Sequence, residues 1–396
     1  MNRFAAALST EVATEAAIEQ VCSEAGRRME GARPSLAVLF VSHHHAAGFD
    51  GLARKIRART QADALIGAAV ETVVGGGREV EEGPALSLWL AHFSDGEVET
   101  FELEVDTHDE ALHIHGFPGI EEGVDVVAER ISLLMLADPY SFPADLFLQQ
   151  INDARPGLRI LGGNASGARG PGQGALFIDD RCIKSGAVGA VLRHVAVRHV
   201  VSQGCRPIGR SMVITKAHEN VIDELAGKPA LDQLQRVWDE APDDEKLLLQ
   251  AALKGGGLHI GQVVDERISQ PSRGDFLVRG VRGFDKATRA VHIGDVARRG
   301  RTVRFHVRDS VSADEDLRDL LTGAHATRSP AAALLFTCNG RGTRLFDAPD
   351  HDAAAIQQHL GVVPVAGCFA AGEMGPVGGK NFLHGFTASV ALFDET

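Results

Sequence analysis

Apolar residues along the chain fall into short runs separated by polar turns and by stretches with helical spacing, and three segments share one order. In the first, "SLAVLFVS" (Ser35 to Ser42) precedes the helical stretch "GFDGLARKIRARTQA", then "ALIGAAVETVVGGG" and the alternating strand "ALSLWLAHF". In the second, "ISLLMLADPYSF" leads through "PADLFLQQINDARPG" to "LRILGGNASGARGPGQG", closed by "ALFIDD" and "AVGAVLR". In the third, "AAALLFTCNGRG" leads through "HDAAAIQQHLG" to "VPVAGCFAAGEMGPVGG", closed by "FTASVALF". Each reads as strand, polar turn, helix, short strand ending in glycine, glycine-rich loop and strand. The step from first strand to glycine is alike in all three: Leu36 to Gly67, Ile131 to Gly162, Ala333 to Gly367. Continuous apolar runs suit strands buried on both faces, and the connections suit crossover helices. The pattern predicts an α/β (α+β) chain: mixed β-sheets with flanking helices, in two related domains built from repeated β-α-β-β units.

The material between the second and third repeats differs. "LRHVAVRHVVSQGCRPIGRSMVITKAHENVIDELAGKPA" reads as strands and turns, and "ALDQLQRVWDEAPDDEKLLLQAALKGGG" as one or two helices stopped by glycines. "DFLVRGV", "TRAVHIGD" and "RTVRFHV" are strands at hairpin spacing. "SADEDLRDLLTG" reads as a helix with Ser312 and Glu315 as a capping box. A turn at "GCRPIG" sets the expected boundaries: an N-terminal helix over 1–33, capped by Ser9 or Thr10, then domains over 34–207 and 208–396.

Composition narrows the class. At 396 residues, with 44% hydrophobic and 23% charged residues, the chain has the make-up of a soluble globular protein. No apolar run approaches the ~18 residues of a membrane span, and the N-terminus makes a poor signal peptide. Five cysteines without a C-x-x-C pair argue against a disulfide framework or structural zinc and for a reducing, cytoplasmic location. A net charge of −13 without a basic stripe argues against nucleic acid as a partner.

Familiar catalytic signatures fail. "PVGGKN" resembles the end of a phosphate loop, but Met374 replaces its first glycine and Asn381 its Ser/Thr. "HHH" at His43 to His45 reads as a solvated turn, because consecutive side chains diverge. His113 and His115 share a strand face, but no further ligand stands in register, so no metal is assigned.

What remains is two glycine-rich turns of the third repeat. "TCNGRG" ends a buried strand, the edge where open α/β sheets bind ligands. Asn339-Gly340 favours a positive-φ turn that would expose Cys338 and Arg341, beside Gly342. Arg341 offers a fork for a carboxylate, and Glu373 could accept from an ammonium. Gly378, Asn381 and His384 complete the expected ligand-binding set. The two turns would converge on a water-accessible hollow for a zwitterion or other small polar metabolite. Alternatively, Arg341 and Glu373 pair with each other and lock the turns. Cys338 reads as a structural or redox-sensitive thiol, with a nucleophilic role for Cys338 or Cys368 in a cryptic enzyme as an alternative.

"LLFTCNGRG" followed by "VVPVAGCFAAGEMGPVGGKNFLHGFTASVALF" resembles the C-terminal half of the FIST family (F-box and intracellular signal transduction proteins). "ADALIGAAVETVVGGGREVEEGPALSLWLA" and "RILGGNASG" are similar to its N-terminal half, and "SQGCRPIGRSMVITKAHENVIDELAGKPALDQL" to the junction. The resemblance runs from about Pro34 to Phe393. It implies paired FIST-N and FIST-C domains acting as an intracellular, non-enzymatic sensor of small ligands, with amino acids as the suggested class. No kinase, cyclase or receptor module accompanies the sensor, so a separate signalling protein is the expected partner. No cofactor is assigned. Some relatives resemble nitric-oxide sensors that bind haem, which leaves haem as the alternative.

Overall fold

A computed structural model describes residues 1–108, 111–121 and 123–395. The chain forms two compact units, Met1–Val201 with Arg318–Thr396, and Ser202–Leu317.

The larger unit opens with β1 (Arg3–Ser9) and α1 (Thr14–Arg28). The expected N-terminal helix over 1–33 is thus a strand and a helix, with Ser9 and Thr10 ahead of the helix rather than capping it. The cause is pairing: Arg3 to Ser9 run antiparallel to residues 86–92. Helix α1 buries Ala17, Ile18, Val21, Cys22 and Ala25, a spacing that makes one face.

The first repeat comprises β2 (Leu36–Ser42), α2 (Phe49–Thr60), β3 (Ala64–Val70), a hairpin of β4 (Val73–Gly75) and β5 (Arg78–Val80), and β6 (Leu86–His92). The hairpin β7 (Glu97–His108) and β8 (Ala111–His115) follows. The second repeat comprises β9 (Ser132–Ala137), α3 (Ala144–Ala154), β10 (Arg159–Asn164), the hairpin β11 (Leu176–Ile178) and β12 (Arg181–Ile183), and β13 (Ala187–Arg193). Then comes β14 (Val197–Ser202).

The smaller unit contains β15 (Cys205–His218), β16 (Val221–Leu225), β17 (Lys228–Pro229), α4 (Ala230–Glu240), α5 (Asp243–Gly255), β18 (Leu258–Val263), β19 (Phe276–Phe284), β20 (Val291–Ile293) and β21 (Thr302–Arg308). Its strands run in the order β15-β21-β18-β19-β20-β16-β17, and β15 also pairs with β16, so the sheet closes on itself as an antiparallel barrel. "GCRPIG" is therefore not a turn between domains; Cys205 to Ile208 are paired with residues 305–308. Helix α6 (Ser310–Thr327) follows. The expected Ser312 cap is Asp309, whose carboxylate accepts from the Ser312 N–H (2.9 Å) and hydroxyl (2.7 Å).

The third repeat comprises β22 (Ala332–Cys338), α7 (His351–Leu360), β23 (Val365–Ala370), the hairpin β24 (Glu373–Val377) and β25 (Lys380–His384), and β26 (Ala388–Phe393). It belongs to the larger unit, so the chain divides in space at Val201/Ser202 and Leu317/Arg318 rather than once near Ile208.

Within each repeat the two strands joined by the helix are parallel, and the last strand lies antiparallel to the first. The hairpins are exchanged in a cycle. β4–β5 of the first repeat extends the third repeat's sheet through β23. β11–β12 of the second extends the first through β3, and β24–β25 of the third extends the second through β10. One glycine recurs at the same register: Gly67 opposite Leu39, Gly162 opposite Met135, Gly367 opposite Leu335. A Cβ there would meet the partner's carbonyl oxygen at 2.5, 1.8 and 2.0 Å respectively, which explains the shared glycine spacing.

The inner faces of the three sheets share one core, in which Trp89 and Phe393 rings lie 4.8 Å apart and Phe40 meets Phe336 at 6.0 Å. Burying each such side chain contributes about 1.5–3 kcal/mol. Helices α1 and α2 cover the outer face of the first sheet, and α3 that of the second.

Candidate functional site

The exchange of hairpins brings the carboxyl ends of all three parallel strand pairs together. His43 and Glu71 follow β2 and β3, Tyr140 and Ser166 follow β9 and β10, and Asn339 and Ala371 follow β22 and β23; they line one cavity of about 360 Å³.

Backbone bonds between repeats fix its floor. The Ser166 hydroxyl accepts from the Glu71 N–H (2.9 Å) and donates to the Phe369 carbonyl (2.5 Å), so one side chain ties all three repeats. The Asn164 N–H donates to the Gly372 carbonyl at 2.8 Å, and the Phe369 N–H to the Thr72 carbonyl at 3.1 Å. Polar chemistry is concentrated at the wall. Glu71 takes Arg344 at 2.5 Å, and the same guanidinium donates to the Asn339 carbonyl at 2.8 Å. Arg169 is exposed and also lines the cavity. The His43 imidazole is pulled below its ordinary value by burial first, then by His44 and Arg169, with Glu71 acting the other way. Among the described residues, the Asn339 side-chain oxygen is buried with no hydrogen-bond partner. Tyr140, the chain's one tyrosine, is 47% exposed.

Of the residues expected from sequence to bind ligand, Asn339 lines this cavity. Cys338 is half-buried one position earlier, with its sulfur accepting from the Gly340 N–H at 3.4 Å. The turn's left-handed residue is Gly342 (φ 58°) rather than Asn339 or Gly340. A side chain on Gly342 would collide with Phe369 and Glu81.

Arg341 and Glu373 require correction: both are fully buried, and neither faces an open hollow. Arg341 makes a two-pronged bond to Asp352, each contact 2.7 Å, and lies over the Phe346 ring at 5.2 Å. Thr337 donates to the same carboxylate (2.5 Å), and His351 contacts it at 2.8 Å. Burial pushes Asp352 up, but the charge and hydrogen bonds of Arg341 outweigh it and hold the carboxyl well below its ordinary range. Glu79 completes this network; burial, then Asp352, push it up to about 8. Glu373 accepts from the Thr387 N–H at 3.1 Å.

The second expected turn is a hairpin rather than a ligand loop. Gly378 is at its exposed tip with φ 56°. Asn381 donates to the Leu158 carbonyl (2.7 Å) and accepts from the Ile160 N–H (2.9 Å), fastening the hairpin to β10. His384 is bonded to the Gly375 carbonyl at 2.9 Å. These residues brace the fold.

His43, Glu71, Tyr140, Ser166 and Arg169 went unassigned from sequence. The signal that could have found them was the repeat itself: His43 and Tyr140 lie at turns equivalent to "TCNGRG", and Glu71, Ser166 and Arg169 follow the strands equivalent to β23. His45 of the triple histidine is buried against Thr14 (3.1 Å), and among the described residues no group of three or more His, Cys, Asp or Glu could hold a metal ion. No helix among them is long and apolar enough to cross a membrane.

A family model described as FIST N domain matches residues 35–228, and one described as FIST C domain matches residues 230–376. An uncharacterized protein of Mycobacterium tuberculosis (strain ATCC 25618 / H37Rv) is 42% identical over 394 residues, 99% of each chain. An uncharacterized protein of Mycobacterium bovis (strain ATCC BAA-935 / AF2122/97) is 42% identical over 388 residues, 97% of each chain.

Proposed function

Since the chain belongs to the FIST family, whose domains are sensory domains of signal transduction, we propose that it senses a small polar metabolite of the amino-acid type in the cavity between its three repeats. The observation that carries this reading is the convergence of three strand-end pairs on one cavity walled by ionisable and amide groups. Ligands of open α/β sheets bind outside the carboxyl ends of parallel strands, and here three such edges meet.

The wall suits a zwitterion. Arg169 offers a guanidinium fork to a carboxylate, Glu71 an acceptor to an ammonium, and Asn339 an amide to either. The glycine-rich stretch after β10, which carries Arg169, forms one wall of the cavity and would be the segment that closes over a ligand. Occupancy would then shift the balance between open and closed arrangements and pass to a separate signalling protein. No residue is assigned a catalytic role.

Thermal shift followed by titration calorimetry with amino acids and related acids tests the proposal. A ligand found this way should lose about tenfold or more in affinity with Arg169→Ala, the usual loss for a charged hydrogen bond. Glu71→Gln should weaken ammonium-bearing ligands selectively, and Lys380→Ala, on the distant hairpin strand, should change nothing. Ligand affinity that survives both Arg169→Ala and Glu71→Gln rules this cavity out.

A further inference from the structure

A second cavity, of about 250 Å³, lies in the larger unit between the turn Val126–Ile131, the start of β10 and residues 195–198. Four arginines line it: Arg130, Arg159, Arg198 and Arg328. No carboxylate is among its lining residues. One acid stands behind it. Asp394, buried, takes Arg198 through Nη2 at 2.7 Å and Nε at 3.1 Å, and lies 3.9 Å from Arg328. Arg159 spends one N–H on the Val197 carbonyl at 3.2 Å. Among the described residues no side-chain hydrogen bond or ion pair engages Arg130, although its backbone is held at φ 50°, a left-handed conformation unfavourable for any residue with a side chain.

This surplus of positive charge belongs to a chain whose net charge is −13. Asp394 answers Arg198 and in part Arg328, but among the described residues no acid pairs with Arg130 or Arg159, and guanidinium groups gathered in excess of their counter-charges repel one another unless a further anion joins them. Nearby His199 adds no charge to the cluster at neutral pH, because burial first and then Arg159 pull it down to about 4. Planar forks match tetrahedral oxyanions, whose several oxygens can each take two donors. At ~30 Å³ per water the volume equals about eight waters, room for a phosphate or diphosphate group.

We infer that this arginine-lined cavity binds a phosphate-class oxyanion, as the free anion or as the phosphate group of a small metabolite. The site is independent of the sensory cavity and shares no lining residue with it.

Calorimetry and thermal shift on the full chain test this, with inorganic phosphate, pyrophosphate and glycerol 3-phosphate as probes and sodium chloride at matched ionic strength as the reference. At least one phosphate probe should bind saturably and raise the melting temperature where chloride does not. Tighter binding of glycerol 3-phosphate identifies a phosphorylated metabolite as the source, and tighter binding of the inorganic probes identifies the free anion. Arg130→Gln and Arg328→Gln should each weaken that probe about tenfold while leaving the melting temperature of the unliganded protein unchanged. Arg27→Gln, on exposed α1, should not weaken it. Absence of saturable binding at about 10 mM, or equal weakening by Arg27→Gln, overturns the inference.

Discussion

Replacing Glu79 with glutamine should stabilise the larger unit at alkaline pH and remove a pH dependence that the wild type carries. Glu79 is 6% exposed, its Oε1 accepts from the Ala353 N–H at 2.9 Å, and its Oε2 has no partner among the described residues. Burial and the neighbouring Asp352 carboxylate raise its pKa from 4.5 to about 8. Between those values the folded chain keeps a proton that the unfolded chain has released, so folding stability falls as pH rises. Each pH unit in the window costs about 1.4 kcal/mol, and the whole window at most about 5 kcal/mol. Asp352 works at the other end: held low by Arg341, its contribution is present above the ordinary carboxylate range and lost on acidification below it. The two windows do not overlap.

Glutamine keeps the acceptor for Ala353 and cannot ionise. Urea unfolding followed by Trp89 fluorescence, in a Trp238→Phe background so that the barrel is silent, measures the effect from about pH 5 to about pH 9. The wild type should lose stability across that range, while Glu79→Gln stays level and is the more stable by about 2–4 kcal/mol near pH 8. A wild-type profile flat from pH 5 to pH 8, or a Glu79→Gln variant with the same slope, would refute the reasoning.

Gly162→Ala and Gly367→Ala should each cost about 3 kcal/mol or more in urea, because a Cβ 1.8 or 2.0 Å from a carbonyl oxygen forces the parallel strands apart. Gly323→Ala, in α6 with nothing within 4 Å of the new methyl, should instead gain about 0.5–1 kcal/mol. Arg341→Met leaves Asp352 buried without its guanidinium partner, so a loss of about 3–5 kcal/mol is expected, and adding Asp352→Leu should recover part of it. Burial pushes Cys22 up to about 12 and raises Cys368 further. Thiol-specific labelling of the native protein at neutral pH should spare both, and rapid reaction of Cys368 would reopen the nucleophile reading.

The three repeats were legible because each parallel pair is buried on both faces and writes itself as an unbroken apolar run. The recurring glycine was legible too, since a close strand-to-strand approach demands it in all three. Where the hairpins go was not. β4 and β11 are three-residue strands whose partners lie in other repeats, at residues 366–368 and 66–68, and no local pattern encodes such a pairing. Arg341 was misread for a related reason. A lone arginine in a glycine-rich turn looks available for ligand, yet its partner sits in "DAPDHD", where Asp352 reads only as a helix start. Asn339 was singled out because it stands at a strand's carboxyl end, and it lines the cavity there. The same logic was not carried to the equivalent turns at His43 and Tyr140.

Exchange of hairpins is what gathers three ordinary strand edges around one cavity. A single βαβ unit offers a ligand a shallow crevice on one sheet. Here each sheet is completed by a neighbour's hairpin, so no repeat can shift without disturbing the sheet it completes and the one that completes it. A ligand bridging Glu71, Tyr140 and Asn339 would touch all three repeats at once, above a hydroxyl, that of Ser166, already bonded to two of them. Binding energy gained there would therefore be spent on the relative placement of three sheets that share a core, and that placement would be readable on the outer surface. A pocket buried within one repeat would lack this lever. On the proposed sensory reading the lever matters, because the output would be a change in the shape the protein presents.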